Sequence, residues 1–466
     1  MDSAVPSSVA VIGGGITGLT AAFRLRKAGI PITLYEASDR AGGVIRSVRR
    51  DGFLAECGPN TILEISPLIS DLVRDAGLSS RRLEPSPSAE ARYLVRGGKP
   101  VEMPSSPPGF LTTPMFSLGA KFSVLLEPFV PKRKDGEEES IAQFVTRRLG
   151  REFLDRAIDA MVAGVYAGDP ERLSVSQAFP KLIALEERYG SLIRGQILGA
   201  RERKKRGEIS KDRAPKFSFD EGLQVLTDTL ASGLGESLRL GSKVTAVTKT
   251  ASGWRVETEA GCSEHRAVIH AGTARGLALL SLRDEAGVAD LSGFSKIRHP
   301  PVASVVLGFR REDVTFPCEG FGALIPRIEG FRILGTIFSS SLFPNRAPAG
   351  HVALTSYVGG ERQSDLALLP EQELINLVCG DLSRLFGTSG EPVFSNVALY
   401  PQAIPQYNLG YGRHRAAMTA LEERFPGFFL AGHYRDGISL GDSIVSGHKI
   451  AERVENRLRS VESGRP

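Results

Sequence analysis

The run Gly13-Gly14-Gly15-Ile16-Thr17-Gly18, followed by an acid at Glu36, narrows what this chain can fold into more than any other feature. A β-rich apolar stretch, Ser8 to Ile12, leads into it. Ile16 to Ala28 follows, with Leu19, Ala22, Phe23 and Leu25 at helical spacing. Gly13 permits the tight turn, Gly15 lets backbone approach a pyrophosphate, and Gly18 lets the helix lie close to the strand. The phosphates then sit at the helix N-terminus, where free N–H groups and the macrodipole favour an anion. Gly29 ends the helix, Ile32 to Tyr35 is the next strand, and Glu36 at its tip suits the ribose hydroxyls of an adenosine. Strand, helix, second strand and acid in register predict a dinucleotide cradle.

Arg40-Ala41-Gly42-Gly43 comes directly after, adding a second glycine pair and a fixed cation near the phosphates. This extension resembles the flavoproteins of the amine oxidase and phytoene desaturase superfamily, which hold FAD. Read without that resemblance, Gly42-Gly43 is an ordinary loop turn.

The 466 residues suffice for two or three domains with large cores, and 41% apolar with 24% charged residues is ordinary for a soluble protein. The glycine loop is reached with no basic n-region or cleavage site before it, and no apolar run approaches the roughly 18–20 residues of a spanning helix. Cys57, Cys262, Cys318 and Cys379 are scattered without metal-ligand spacing. Reduced thiols in a cytoplasm, and no metal site, are therefore expected. The formal charge of +5 is unevenly placed: Arg201, Arg203, Lys204, Lys205, Arg206, Lys211, Arg213 and Lys216 crowd one segment, and Lys132-Arg133-Lys134 another. Without interleaved aromatic residues or a recognition motif, a nucleic-acid partner is not expected. A solvated face or contact with anionic phospholipid headgroups both fit the cluster.

The fold class expected is α/β: a discontinuous Rossmann-like FAD-binding domain (residues 1–85, 217–290 and 414–466), an antiparallel-sheet substrate domain (86–104 and 291–413), and a helical membrane-associating domain (105–216). Phe217 to Leu234 carries an apparent helix, Leu223 to Leu234, and Ser242 to Thr248, a hairpin through Ser252-Gly253 to Trp254 to Val256, and Ala267 to His270 read as strands. Val302 to Phe309, Gly322 to Pro326, Ile333 to Phe338 and His351 to Val358 read as an antiparallel sheet, and Glu371 to Phe386 as a helix. Near the end, Phe428 to Ala431 reads as a strand, Gly432 as a turn and Ile438 to Leu458 as a long helix. Between Pro100 and Pro131, seven prolines break an unusually apolar stretch into short pieces. Its aromatic and aliphatic side chains suit either a bilayer surface or burial within the helical domain or a dimer interface.

Several stretches resemble the protoporphyrinogen oxidases of haem synthesis: Glu56-Cys57-Gly58-Pro59-Asn60, the GVYAGDP of Gly164 to Pro170, the FDEGL from Phe219, Gly320-Phe321-Gly322, the IPQYNLG of Ile404 to Gly410, and the closing AGHYRDGISLGDSIVSGHKIA. GVYAGDP and IPQYNLG are specific to that family, and together the stretches span the chain. The resemblance implies noncovalent FAD, a porphyrinogen substrate and molecular oxygen as acceptor. It also implies a homodimer seated peripherally on an anionic membrane surface, and the next haem-pathway enzyme as a possible partner. By the same resemblance Gly13, Gly14, Gly15, Ile16, Thr17, Gly18, Glu36, Ala37, Arg40, Gly42, Gly43, Gly58, Pro59, Asn60 and Thr61 touch FAD, and Val244 offers backbone to the adenine. Tyr400, His433, Ile438, Ser439 and Leu440 lie along the flavin. Arg92 pairs with a substrate carboxylate, while Gly164, Ile337 and Tyr357 line the pocket. The chain departs from its relatives with His433 where Asn is frequent, Tyr400 where Trp is frequent, and an aromatic Tyr357.

Such chemistry asks the protein for placement and electrostatics, and no triad, metal cluster or carboxylate pair is expected. Asp442, in the first turn of the last helix, is expected to complement the dipole rather than act as a base. Arg92 suits a carboxylate bidentately, although a surface arginine on a strand is the plainer reading. Ile337, Tyr357 and Tyr166 equally suit packing. Protoporphyrinogen IX is the leading substrate, coproporphyrinogen III the rival, and a silent porphyrin-carrying flavoprotein the alternative of another class.

Overall fold

The computed structural model describes residues 8–104, 106–133, 136–206 and 214–462, with side chains omitted at 107, 200–206 and 462. Arg201 to Arg206 of the basic cluster form the end of the helix Leu192–Arg206, and Lys134, Lys211 and Arg213 lie outside the described residues.

Val9–Ile12 and Ile32–Tyr35 are parallel neighbours in a five-stranded sheet. Leu238–Arg239 lies beyond the second strand, and Ala267–His270 followed by Phe428–Leu430 lies beyond the first, all parallel. Strand alternation sorts the two faces. Val9, Val11 and Ile269 pack with Leu19, Ala22 and Leu25 of the helix Ile16–Lys27, while Ala10 and Val268 pack on the opposite side with Trp254 and Phe428. A second five-stranded sheet is built on the hairpin of Val244–Lys249 and Trp254–Thr258.

The largest sheet has seven strands in the order Phe394–Tyr400, Val302–Arg310, His351–Gly359, Ile333–Phe338, Gly322–Leu324, Arg92–Arg96, Lys99–Glu102. One face is covered by the helix Glu371–Phe386, whose Leu374, Val378 and Leu382 are buried against Val305, Leu307 and Leu354. The expectation of a purely antiparallel sheet is corrected at one pairing. Gly322–Leu324 runs parallel to Arg92–Arg96, because a strand from far earlier in the chain adds to the edge.

A strand precedes the helix of the Phe217 to Leu234 segment, and one helix boundary differs from expectation. Lys216–Phe219 is a strand, with Phe217 and Phe219 both buried and in edge-to-face contact at 5.8 Å. The helix starts only at Gln224, after Gly222 turns the chain at φ +93°. The last helix runs Leu440–Glu462 rather than from Ile438. Its start is set by a reciprocal cap: the Ser439 hydroxyl accepts from the Asp442 amide at 3.0 Å, and the Asp442 carboxylate accepts from the Ser439 amide at 3.3 Å. Asp442 thus does serve the helix end. A short helix, His433–Asp436, occupies what reads in sequence as a plain turn.

The proline-broken stretch forms the helices Pro107–Thr112 and Leu118–Leu126. Met115, Phe116 and Ala120 are buried with Leu94, Ala157 and Ala160, so part of the stretch is interior packing. Leu118, Phe122, Leu125 and Phe129, at helical spacing, stay 82, 61, 56 and 76% exposed. Among the described residues no helix is long and apolar enough to cross a membrane.

Charge is buried beneath that layer. Arg148, on the helix Ile141–Leu149, is fully enclosed with the carboxylates of Glu127 and Glu186 at 3.4 and 3.3 Å. Its guanidinium also donates to the carbonyls of Val130 (2.8 Å) and Gly190 (2.7 Å). Removing one partner of such a network leaves uncompensated buried charge, which costs about 3–5 kcal/mol. Arg148→Met is therefore expected to lower the denaturation midpoint by a corresponding amount, read by chemical unfolding. A stability within about 1 kcal/mol of the parent would mean that the network contributes no more than a surface pair.

Candidate active site

Each glycine of the loop has its own reason. Gly13 sits at φ +104°, and a β-carbon there would come 2.8 Å from the backbone of Gly272. At Gly18 it would lie 1.9 Å from the Gly13 carbonyl oxygen, so helix and strand could not approach as they do. At Gly15 it would meet nothing within 4 Å. That space lies at the start of the helix Ile16–Lys27, which has no capping side chain and no acid in its first turn. An anion is what such an end lacks. Ile16 and Thr17 are buried in the first turn.

Glu36, at the tip of the neighbouring strand, accepts from the Gly14 amide at 2.6 Å and from the Ser38 amide at 2.9 Å. Ala37 beside it is exposed. The Glu36 carbonyl accepts from the Ser242 amide, which brings the strand beginning at Val244 to the same edge. The Gly42 amide donates to the Gly14 carbonyl at 2.8 Å, laying the second glycine pair over the first. Arg40 donates to the carbonyls of Ala41, Gly43 and Ile45. Its guanidinium thus folds this loop as well as supplying positive charge beside the glycine turn.

Gly58 packs so tightly beneath Val44 that a β-carbon would come 2.3 Å from its carbonyl oxygen. The Tyr400 hydroxyl donates to that same carbonyl at 3.3 Å. Asn60 donates to the Tyr357 hydroxyl at 2.6 Å, and Tyr357 donates to the Gly58 carbonyl at 3.3 Å. Burial pushes the Tyr400 phenol up to about 12 and raises that of Tyr357 too, so both stay protonated donors. Pro59 and Thr61, which flank Asn60, are half-buried.

The third wall comes from the end of the chain. The Thr17 hydroxyl donates to the Ser443 carbonyl at 3.1 Å, which fixes the last helix, and with it Ile438, Ser439 and Leu440, against the glycine-loop helix. Tyr407, from the IPQYNLG motif, donates to the His433 carbonyl and accepts from the Gly437 amide at 3.1 Å. The sequence marks the motif but assigns Tyr407 itself no role. The His433 ring lies 6.0 Å from that of His299, and neither buried Nε2 has a protein partner. Burial and His299 pull the His433 imidazole down to about 4, so it is neutral. Nothing in the sequence marks His299.

The expected substrate residues are also brought together. Arg92 is paired with Gly322, Gly322 with Ile337, and Ile337 with Thr355, forming one row across the sheet. Tyr357 is two residues beyond Thr355 and so shares its face. This is the face opposite the helix Glu371–Phe386. Gly164 sits over Leu324 on it: a β-carbon at Gly164 would come 2.3 Å from the Leu324 side chain. Arg92 is exposed at one end of the row, and Tyr357 reaches the Gly58 loop.

The sequence profile of the flavin-containing amine oxidoreductases matches residues 16–455. The chain belongs to that family. It is 36% identical to protoporphyrinogen oxidase 2 of Arabidopsis thaliana, covering 97% of this chain and 94% of the relative. It is 30% identical to coproporphyrinogen III oxidase of Bacillus subtilis, covering 94% and 96%. A crystal structure from Exiguobacterium, of a protein assigned as a protoporphyrinogen oxidase, superposes with a TM-score of 0.81 at 23% identity, over 98% of this chain and 100% of that one. The last likeness establishes the fold.

The flavoenzyme's cofactor is FAD, and the residues present fit it: an uncapped helix end, a void at Gly15 and an acid at the strand tip. Gly15 has φ −70° and ψ 175°, which any residue can adopt, so Gly15→Val keeps the backbone while filling the void. The variant is expected to fold with an unchanged far-ultraviolet spectrum and to be isolated without flavin absorbance. Stoichiometric FAD in Gly15→Val would place the pyrophosphate elsewhere.

Proposed function

We propose that this flavoprotein oxidises protoporphyrinogen IX to protoporphyrin IX, with oxygen as the final acceptor. The observation that carries the reading is the row Arg92–Gly322–Ile337–Thr355, with Tyr357 on the same face bonded to the Gly58 loop. A cation, an apolar sheet face and the loop that flanks the cofactor are thus laid out in sequence, as an apolar macrocycle with carboxylates at one edge requires. The two relatives named above act, by their names, on porphyrinogens.

The reaction removes six electrons and six protons from the macrocycle, and three oxygen molecules take them up as hydrogen peroxide. Bound FAD supplies the two-electron acceptor for each step. Gly13 to Gly18, Glu36 and the Gly42-Gly43 loop would hold its dinucleotide half, with the Gly58–Thr61 loop and the Ile438–Leu440 segment beside the flavin. The protein's own task is orientation. Arg92 would clamp a carboxylate through its planar fork, while Ile337 and the glycine-opened surface at Gly164 and Gly322 admit a flat ring. Neutral His433 and protonated Tyr357 add no charge next to the cofactor. Coproporphyrinogen III is the second reading, favoured by the Bacillus subtilis relative.

We further propose that the enzyme docks peripherally on a lipid surface through Leu118, Phe122, Leu125 and Phe129. Ile197 and Leu198, also exposed, lie on the helix Leu192–Arg206, and Arg194 of that helix sits 5.9 Å from the Phe129 ring. An apolar patch beside a cation suits an anionic headgroup layer, and the porphyrin product is itself poorly soluble in water.

Purified enzyme supplied with either porphyrinogen is expected to develop porphyrin fluorescence with consumption of oxygen, faster with protoporphyrinogen IX. Faster turnover of coproporphyrinogen III would exchange the two readings, and turnover of neither would overturn both. Arg92→Ala is expected to keep its flavin and lose about 2 kcal/mol of substrate recognition, or about thirtyfold in kcat/KM. An unchanged kcat/KM would remove Arg92 from the site. For the docking surface, the measure is flotation with anionic liposomes at low and high salt. The protein is expected to float, and Phe122→Glu with Phe129→Glu to stay at the bottom. Wild-type protein that also stays at the bottom would overturn the lipid reading, and elution as a dimer which the same substitutions split would assign the patch to a second copy of the chain instead.

A further inference from the structure

Arg92 does not stand alone at its end of the row. Lys216 begins the strand Lys216–Phe219, which pairs with Ile62–Leu63, and its ammonium lies 5.8 Å from the centre of the Phe321 ring. Phe321 immediately precedes Gly322, the strand partner of Arg92, and its amide donates to the Ala91 carbonyl at 2.7 Å. The lysine therefore converges on Arg92 from a different sheet, through the side chain of one intervening residue. Among the described residues neither cation forms an ion pair with a carboxylate. Glu90, whose charge acts on Lys216, is exposed and bonds to neither. Half-burial first, and then the charge of Arg92, lower the lysine's pKa against the opposing pull of Glu90.

Convergence of two unpaired cations is unfavourable in itself and is relieved when an anion binds between or across them. The apolar ring of Phe321 beside the ammonium restricts the directions from which water can solvate it. We propose that Lys216 is a second carboxylate-binding residue of this site, acting beside Arg92 on a substrate edge that carries two neighbouring carboxylates. The proposal rests on the porphyrinogen reading and deepens it. The two propionates of protoporphyrinogen IX hang from adjacent pyrroles, so one edge of the ring presents both to this corner while the vinyl-bearing edge points away from it. Lys216 would thus help decide which way round the macrocycle enters.

The test is a pair of titrations on the FAD-loaded enzyme, with protoporphyrin IX and with its dimethyl ester, followed by fluorescence, for wild type, Lys216→Met and Lys216→Arg. Steady-state kinetics are run on the same proteins. Methionine keeps the apolar stem and removes only the charge. Lys216→Met is expected to weaken binding of the diacid about tenfold and raise KM similarly, with kcat, flavin content and ester binding unchanged. Lys216→Arg is expected to restore the diacid affinity. Diacid binding equal to wild type in Lys216→Met, or equal losses for diacid and ester, would overturn the role of Lys216 while wild-type turnover leaves the substrate reading standing. A wild type that neither binds porphyrin nor turns over porphyrinogen would overturn both.

Discussion

The approach of one helix to the backbone on either side of it underlies everything else in this molecule. The helix Ile16–Lys27 comes so near the first turn that the Gly13 carbonyl occupies the place of a Gly18 side chain, and the last helix presses equally close from the other side. A β-carbon at Gly447 would lie 2.5 Å from the Thr17 carbonyl. Two glycines more than four hundred residues apart thus allow three backbone segments to share one small volume. Only then does the positive end of the first helix open onto the void at Gly15, with the Ser439 turn beside it. Larger side chains at either position would separate the elements and dismantle the cradle before any cofactor arrived.

The largest sheet is joined to this centre through buried polar contacts. Glu56 accepts from the Ser47 hydroxyl at 2.7 Å and the Leu223 amide at 2.9 Å, with Arg346 at 3.5 Å. Burial raises its pKa against the pull of Arg346 and these donors, so the contact is specific rather than strongly stabilising. Its position two residues before Gly58 matters more. The same short stretch carries the Glu56 network, the glycine under Val44 and the Asn60–Tyr357 bond. A shift of the sheet relative to the cradle would break all three together. The sheet is held to this stretch by these contacts together with the apolar packing of Phe53 and Ala55 on Val306, Ala353 and Phe394.

Much of the fold could be read along the chain because its signals are local. The glycine loop with its flanking strands, the helix Glu371–Phe386 and the hairpin ending at Thr258 are each announced by turn chemistry and periodicity within a few residues. The departures have local causes as well. Lys216–Phe219 forms a strand ahead of the helix because Gly222 turns the chain between the two. The last helix begins two residues later than its apolar spacing suggests because Ser439 and Asp442 cap each other. In the proline-broken stretch, sequence offered burial and exposure as alternatives, and both occur: Met115 and Phe116 are inside, Phe122 and Phe129 outside. Spacing alone does not say which side of a short helix meets another element.

From the sequence alone came the dinucleotide cradle, its acid at Glu36, the flavin-type extension at Arg40 to Gly43 and the resemblance to porphyrinogen oxidases. These rest on backbone conformation and short-range spacing, which a chain carries with it. The tertiary structure alone decided the rest. It set Arg92, Gly322, Ile337 and Thr355 in one row, although they come from four strands, and it joined Tyr357 to Gly58. It placed Lys216 over Phe321 beside Arg92, and turned His433 toward His299. No local rule relates residues that distant in the chain, because strand register and helix packing are fixed by the whole core, and the charge around Arg92 depends on which strands that core brings to one edge.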